Sequence, residues 1–251
     1  MSITLAQITD THLLDSPEEE LRGIKTWYSL QAVLATVKQL QPDHLLLTGD
    51  LAHVGSAKAY QHLLNLITPL KLPVSWLPGN HDCLKTIKLS LDHPLFLPPQ
   101  SLKLGNWQLI TLSVTAIAGG YGEGYLSVSS LAWLKAELQA IQQPVLIALH
   151  HHPLPTGIDW VDQMGLVNNR AFLEMIDSFP QVKVVVFGHI HHAFHHHRNG
   201  VDYYGCPSTG NQVIPDHSSH PHLDQPGFRQ LHLHPNGDHE AAIHRVKITA
   251  K

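Results

Sequence analysis

Five short polar motifs carry side chains that can hold metal ions: Asp10-Thr11-His12, Gly49-Asp50, Gly79-Asn80-His81-Asp82, His150-His151-His152 and Gly188-His189-Ile190-His191. Carboxylate, imidazole and amide oxygen are donor types that divalent transition metals accept. The Asp-x-His and His-x-His spacings put both side chains on one side of an extended segment, because alternate residues share a face. Asp10, His12, Asp50, Asn80, one histidine of the 150 run, His189 and His191 are together enough for two cations that share a carboxylate. Asp50 is the natural bridge, since its two oxygens can reach two cations, and Asn80 adds a neutral oxygen. Gly49 and Gly79 precede ligands where the chain must turn sharply and approach closely. Two cations roughly 3.5–4 Å apart suit phosphoryl chemistry: they acidify a shared water, hold phosphate oxygens and spread the transition-state charge. His81, not needed as a ligand, is then the candidate to protonate the leaving oxygen, with Asp82 orienting it or its loop.

Each motif stands at the end of an apolar run that reads as a buried strand: Ile3–Ile8, 45–48, Val74–Leu77, Val145–Leu149 and Val182–Phe187. In open α/β sheets the loops after the carboxyl ends of parallel strands converge on one crevice, so the five motifs are expected to meet. Between the strands lie helical patterns. The first, over 26–40, repeats Trp27, Leu30, Val33, Leu34, Val37 and Leu40 at one-faced spacing, and Pro42 ends it. The second covers 56–70 with Tyr60, Leu63, Leu64 and Ile67; Leu131, Trp133, Leu134 and Leu138 mark a third, and 171–179 a fourth. Such alternation argues for βαβ units. The last quarter reads differently, as strands over 202–205, 228–234 and 241–247, with a hairpin-type turn at Pro235-Asn236-Gly237. An irregular loop is expected over 215–226. The expected fold is one α/β domain over 1–251: two packed mixed β-sheets flanked by helices, a four-layer sandwich whose final strands complete the second sheet.

A chain of 251 residues, 43% hydrophobic, can bury a sizeable core and is not a disordered one. A formal charge of -4 argues against an extended nucleic acid as partner. No apolar run approaches the roughly 18 residues that cross a bilayer, and no basic segment leads into an apolar stretch at the start. Neither a membrane span nor a signal peptide is therefore expected, and the chain is read as cytoplasmic. Cys83 and Cys206 form no spaced pair, which excludes a disulfide scaffold and a thiolate zinc cluster. The outlier is histidine, 22 residues against 16 Lys and Arg, more than one site can use. His195-His196-His197 is expected in a solvated loop, as are His217, His220 and His222. Cys83 is expected as a buried inert thiol, and Trp107 and Trp133 as core. Trp160 and Asn211 are candidates for facing the substrate.

In this order the motifs resemble the calcineurin-like metallophosphoesterase superfamily, whose pattern is Asp-x-His, Gly-Asp, Gly-Asn-His-(Asp/Glu), His, Gly-His-x-His. Ile8-Thr9-Asp10-Thr11-His12-Leu13, Thr48-Gly49-Asp50-Leu51-Ala52, Ala59-Tyr60, Leu77-Pro78-Gly79-Asn80-His81-Asp82, Trp160-Val161-Asp162-Gln163, Pro207-Ser208-Thr209 and Pro226-Gly227-Phe228-Arg229 look like its bacterial class III cyclic-AMP phosphodiesterases. This likeness covers nearly the whole chain. The resemblance implies one metal held by Asp10, His12, Asp50 and His191 and another by Asp50, Asn80, His150 and His189. It favours His150, which aligns without a gap, over His151 as the alternative. It implies two divalent ions, iron and manganese foremost, with zinc or cobalt compatible with the same ligands. It further implies hydrolysis of a small cyclic nucleotide, 3′,5′-cyclic AMP to AMP, by in-line attack of a metal-bridging hydroxide. His81 would serve the leaving 3′-oxygen, and His12, Asn80, His81 and His191 would face the phosphate. His53 and Ser113 depart from relatives, which often carry Asp or Gln and Asp there. A two-metal clamp recognises phosphate rather than its substituents, so another phosphodiester (a glycerophosphodiester, a 2′,3′-cyclic nucleotide or a nucleotide conjugate) is the alternative substrate. A non-catalytic metal- or nucleotide-binding protein would not need His81.

Overall fold

The computed structural model describes residues 1–215 and 222–248. In chain order its strands begin with β1 (Ile3–Ile8), β2 (His44–Thr48), β3 (Val74–Leu77), β4 (Phe96–Leu97), β5 (Ser101–Leu104), β6 (Trp107–Thr111), β7 (Thr115–Ala116) and β8 (Gly124–Tyr125). They continue with β9 (Val145–Leu149), β10 (Val182–Phe187), β11 (Phe194–Arg198), β12 (Val201–Gly205), β13 (Gly227–Leu233) and β14 (His239–Arg245). The helices are α1 (Thr26–Leu40), α2 (Ala57–Ile67), α3 (Leu84–Ser90), α4 (Val128–Ala140), α5 (Asp159–Asp162) and α6 (Asn169–Asp177).

The strands form two six-stranded mixed sheets, ordered β14-β13-β1-β2-β3-β4 and β11-β12-β10-β9-β6-β5. In the first, β1 to β4 run parallel while β13 pairs antiparallel with β1 and β14 with β13. In the second, β12, β10, β9 and β6 run parallel between antiparallel edges β11 and β5. A short β7-β8 ribbon stands apart. The central strands read as continuous apolar runs because each is covered on both faces. Leu5, Leu46, Leu77, Trp107, Leu146, Val184 and Val186 fill the space between the sheets. Leu30, Val33 and Val37 of α1 pack with Tyr60 and Leu63 of α2 on the outside of the first sheet. Leu134 and Leu138 of α4 pack with Phe172 and Ile176 of α6 outside the second. Helix, sheet, sheet, helix is the expected four-layer sandwich. The Ser56 hydroxyl caps α2 by accepting the Ala59 N–H at 3.1 Å, and a short 3₁₀ turn, Thr68–Leu70, finishes that segment.

Four expectations are corrected. The last two strands, β13 and β14, complete the first sheet, not the second; only β12 joins the second. Strand patterning says which face is apolar but not which sheet edge a strand will cover. Here β13 covers the open edge of β1, registered from Ile3↔Leu233 to Gln7↔Arg229, with Leu231 and Leu233 turned into the inter-sheet core. His195, His196 and His197 belong to edge strand β11 rather than a loop, since an edge strand tolerates polar side chains facing solvent. Cys83 is exposed, because the chain turns outward there to begin α3. Trp133 is also 38% exposed: Leu134 and Leu138 take the inward stripe of α4. Trp107, in contrast, is buried and donates from Nε1 to the His234 carbonyl at 2.7 Å. Short α3, α5, β4 and β5 carried too few periodic residues to be anticipated. His217 and His220 lie outside the described residues, and His222 is exposed. No helix among the described residues is long and apolar enough to cross a membrane.

Candidate metal centre

The loops after β1, β2, β3, β9 and β10 all leave the carboxyl ends of parallel strands, and they cross-brace one another. The Asp10 N–H donates to the Gly49 carbonyl at 3.0 Å, the His12 N–H to the Asp50 carbonyl at 2.9 Å, and the Gly188 N–H to the His150 carbonyl at 3.1 Å. The Ser208 hydroxyl adds a bond to the Asp10 carbonyl at 2.7 Å. These bonds hold an unusual backbone. Asp10, His12, Asp50, His189 and His191 all have left-handed φ, at 53°, 42°, 50°, 69° and 53°. For residues bearing a Cβ this costs on the order of 1–2 kcal/mol each. Strain concentrated on the donor-bearing residues aims their side chains into a single crevice.

Two donor clusters that include a carboxylate result, Asp10, His12 and His191, and Asp50, His150 and His189; a third group, His12, His53 and His81, is imidazole only. In the first, His191 Nε2 lies 3.3 Å from Asp10 Oδ1 and 3.3 Å from His12 Nε2. In the second, His150 Nε2 lies 3.4 Å from Asp50 Oδ2, 3.3 Å from His189 Nδ1 and 3.1 Å from Asn80 Oδ1. The same Asp50 Oδ2 is 3.6 Å from His12 Nε2, so one oxygen faces both clusters. All seven residues singled out as ligands thus meet in one crevice. Within the 150 run, it is His150 that reaches Asp50; His151 is turned to the Gly122 carbonyl at 2.9 Å. His152 is buried, and neither of its ring nitrogens is hydrogen-bonded among the described residues.

The remote ring nitrogens are tied down. His150 Nδ1 lies 2.8 Å from the Thr48 carbonyl and His191 Nδ1 2.8 Å from the Asn211 carbonyl. Because a carbonyl can only accept, both rings carry their proton at Nδ1 and turn an Nε2 lone pair to the crevice when neutral. His12 Nδ1 lies 3.4 Å from His53 Nδ1. Electrostatics point the same way. Among the described residues, every ion-pair partner of Asp10 and Asp50 is a histidine. Burial opposes a charged His150, yet the Asp50 and Asp10 carboxylates outweigh it and push its pKa up to about 9. Burial would likewise raise Asp50, but His150 and His12 hold it well below the usual carboxylate range. His12 is pushed down to about 3, chiefly by burial. Two buried carboxylates that raise the proton affinity of His150 and His191 form a pocket that favours positive charge, and its oxygen and nitrogen donors fit divalent transition metals.

Asp82 organises loops rather than the His81 ring. Its carboxylate accepts from the Leu51 and Ala52 N–H groups at 3.1 Å, the Gly79 N–H at 2.9 Å and the Tyr60 hydroxyl at 2.9 Å. Burial, with Asp50 nearby, raises its pKa to about 6. The His81 N–H donates to Asp50 Oδ1 at 2.9 Å, and its ring Nδ1 lies 2.8 Å from the His53 carbonyl, with no hydrogen bond at Nε2 among the described residues. His53, noted in the sequence only as a departure, stacks on His81 with centroids 4.9 Å apart. The carbonyls of Thr48, Asn211 and Gly122 were also missed, since backbone groups carry no residue-type signal. Trp160 is 52% exposed on α5, while Asn211 anchors His191. Ser113 lines a separate cavity with Trp76, Leu84 and Phe96.

A four-layer sandwich with buried carboxylates and imidazoles clustered at its strand ends is the arrangement of a metal-dependent phosphoesterase. The family model for calcineurin-like phosphoesterases matches residues 3–193. The chain belongs to that family, which uses divalent metals. It is 40% identical over 250 residues to a 3′,5′-cyclic-nucleotide phosphodiesterase of Nostoc sp., covering 98% of this chain and 93% of that protein. It is 38% identical over 253 residues to the 3′,5′-cyclic adenosine monophosphate phosphodiesterase CpdA of Escherichia coli, covering 98% and 91%. Its fold is similar to a dimetal phosphatase from Danio rerio, with a TM-score of 0.70, 13% identity and coverage of 98% and 99%. A purple acid phosphatase from yellow lupin gives a TM-score of 0.71 at 11% identity, over 98% of this chain and 52% of that one.

Proposed function

We propose that the protein is a binuclear metal-dependent phosphodiesterase that hydrolyses 3′,5′-cyclic AMP to AMP in the cytoplasm. The observation that carries this reading is the single Asp50 oxygen facing both donor clusters, 3.6 Å from His12 Nε2 and 3.4 Å from His150 Nε2. The near full-length similarity to proteins named for cyclic-nucleotide hydrolysis supports the substrate. Asp10, His12, Asp50 and His191 would hold one cation, and Asp50, Asn80, His150 and His189 the other; iron and manganese are proposed, with zinc and cobalt acceptable to the same donors. Two such cations, when bound, acidify water and draw in the phosphate oxygens.

The protein's own residues do the rest. The carbonyls of Thr48 and Asn211 keep His150 and His191 from rotating, so the donors are in place before substrate arrives. His12, Asn80, His81 and His191 face the phosphate. His81, its Nδ1–H braced on the His53 carbonyl, acts as an imidazolium whose Nε2 proton passes to the departing 3′-oxygen as the bond to phosphorus breaks. The test is AMP release from cyclic AMP by manganese-loaded protein, with bis(p-nitrophenyl) phosphate in parallel and chelator as control. Chelator-sensitive AMP release is expected. Hydrolysis of the generic diester alone would overturn the substrate, and no hydrolysis of either would overturn the mechanism. His81→Ala should keep its metals and lose roughly 10²–10⁴ in rate.

A further inference from the structure

At the opposite, amino-terminal ends of the parallel strands, three imidazoles gather on one carboxylate. Asp202 Oδ1 lies 2.7 Å from His195 Nε2 and 3.0 Å from His197 Nδ1, and Asp202 Oδ2 lies 3.4 Å from His239 Nε2. We propose that His195, His197, Asp202 and His239 form a separate binding site for a divalent transition-metal cation of the zinc type.

The strand registers build the cluster. His195 and His197 are two residues apart on β11 and share a face, whereas His196 between them points away. Strand β12 sets Asp202 directly across from His197. His239 opens β14 and so comes from the other sheet. Its ring stands edge-on to Trp107, and its Nε2 lies 3.2 Å from the Tyr204 hydroxyl. His195 stacks on Tyr204 with centroids 4.7 Å apart, which limits its rotation. Polar side chains alone would protect a sheet edge from unwanted pairing. That role requires neither three imidazoles on one carboxylate nor one recruited from across the sandwich.

Imidazole and carboxylate in this proportion suit zinc, nickel, copper or cobalt better than magnesium or calcium. A path for a cation exists. Asp202 and His239 line a cleft of about 410 Å³ together with Lys183, Asn236 and Asp238. The His195 and His197 side chains are 54% and 60% exposed, so they can swing to share an ion with Asp202 as their ring protons leave. The site is independent of the proposed catalytic reading, for none of its residues belongs to the centre at the strands' carboxyl ends.

The experiment is zinc uptake by the full-length protein, stripped with chelator and dialysed against rising zinc, with bound metal counted by elemental analysis. The wild type should take up one equivalent more than the His195→Ala/His197→Ala double variant. His196→Ala should match the wild type, which controls for adventitious binding to exposed histidine. Bis(p-nitrophenyl) phosphate hydrolysis by the manganese-loaded double variant should be unchanged. Equal uptake by wild type and double variant overturns the proposal, as does an equal loss in His196→Ala. If the double variant loses its circular-dichroism spectrum, Asp202→Asn decides. That variant keeps the side-chain shape and must weaken the extra equivalent by about tenfold or more; unchanged affinity overturns the site.

Discussion

Replacing Gly79 with alanine adds one methyl group at a crowded point of the centre. A Cβ built there would lie 2.7 Å from His150 Nε2 and 2.5 Å from the Asp50 backbone nitrogen, where ordinary contact begins at 3.4 Å. His150 would therefore have to give by about 0.7 Å and the Asp50 backbone by about 0.9 Å. Neither is free to do so. His150 is pinned through Nδ1 to the Thr48 carbonyl, and Asp50 sits in a left-handed turn whose carbonyl accepts from His12. Overpacking of this kind typically costs about 1–3 kcal/mol, which for a chain of this size lowers Tm by roughly 2–12 °C. The larger effect should be on function. A positioned group displaced by nearly 1 Å loses on the order of 10² in rate. Metal retained after desalting should fall with kcat/KM for bis(p-nitrophenyl) phosphate, since the donors that must move are His150 and Asp50, the carboxylate that faces both clusters. Gly210→Ala is the control: it borders Asp10, but its nearest neighbour, Ser208 Oγ, would lie at 3.4 Å, and it should be near neutral. A Gly79→Ala protein with full metal content and a rate within about twofold of wild type would refute the premise that these donors are held rigidly.

Three further outcomes follow from the same geometry. Asp82→Ala strands the buried N–H groups of Leu51, Ala52 and Gly79 and the Tyr60 hydroxyl, and should cost about 3 kcal/mol or more in urea unfolding; a loss below about 1 kcal/mol would mean the loops hold without it. His53→Ala removes the group facing His12 Nδ1 and should weaken metal binding roughly 10–100-fold in a chelator competition while Tm moves little; unchanged affinity would make His53 a bystander. His44 is buried with its Nε2 2.9 Å from the Ser75 hydroxyl, and burial pushes its pKa down to about 4. The neutral form is favoured in the fold, so this group's stabilisation is complete above pH 6.5 and is lost as pH falls toward 4, by at most about 3 kcal/mol. The pH dependence of urea unfolding should be shallower in His44→Gln over that window, and an identical slope would contradict the assignment.

What was legible in the sequence and what was not divide along a physical line. The five central strands could be read because burial on both faces forces continuous apolar runs, and the donors because each stands where such a run stops. The placement of β13 could not, since alternation specifies a face and not a neighbour; His53 likewise joins the site through tertiary contact alone, as does the Asn211 carbonyl that holds His191. Nor does residue type announce left-handed backbone at Asp10, His12, Asp50, His189 and His191. Yet that conformation explains why short motifs suffice. Each loop must turn back within two or three residues of a buried strand while keeping its donor in the crevice, and a right-handed or extended φ would carry the side chain away. The strain is tolerated because the loops hydrogen-bond to one another, Asp10 to Gly49 and His12 to Asp50, so no single loop can relax without breaking its neighbour's bonds. The donor set is therefore cooperative before any cation arrives, and a substitution in one loop should be felt at donors carried by another.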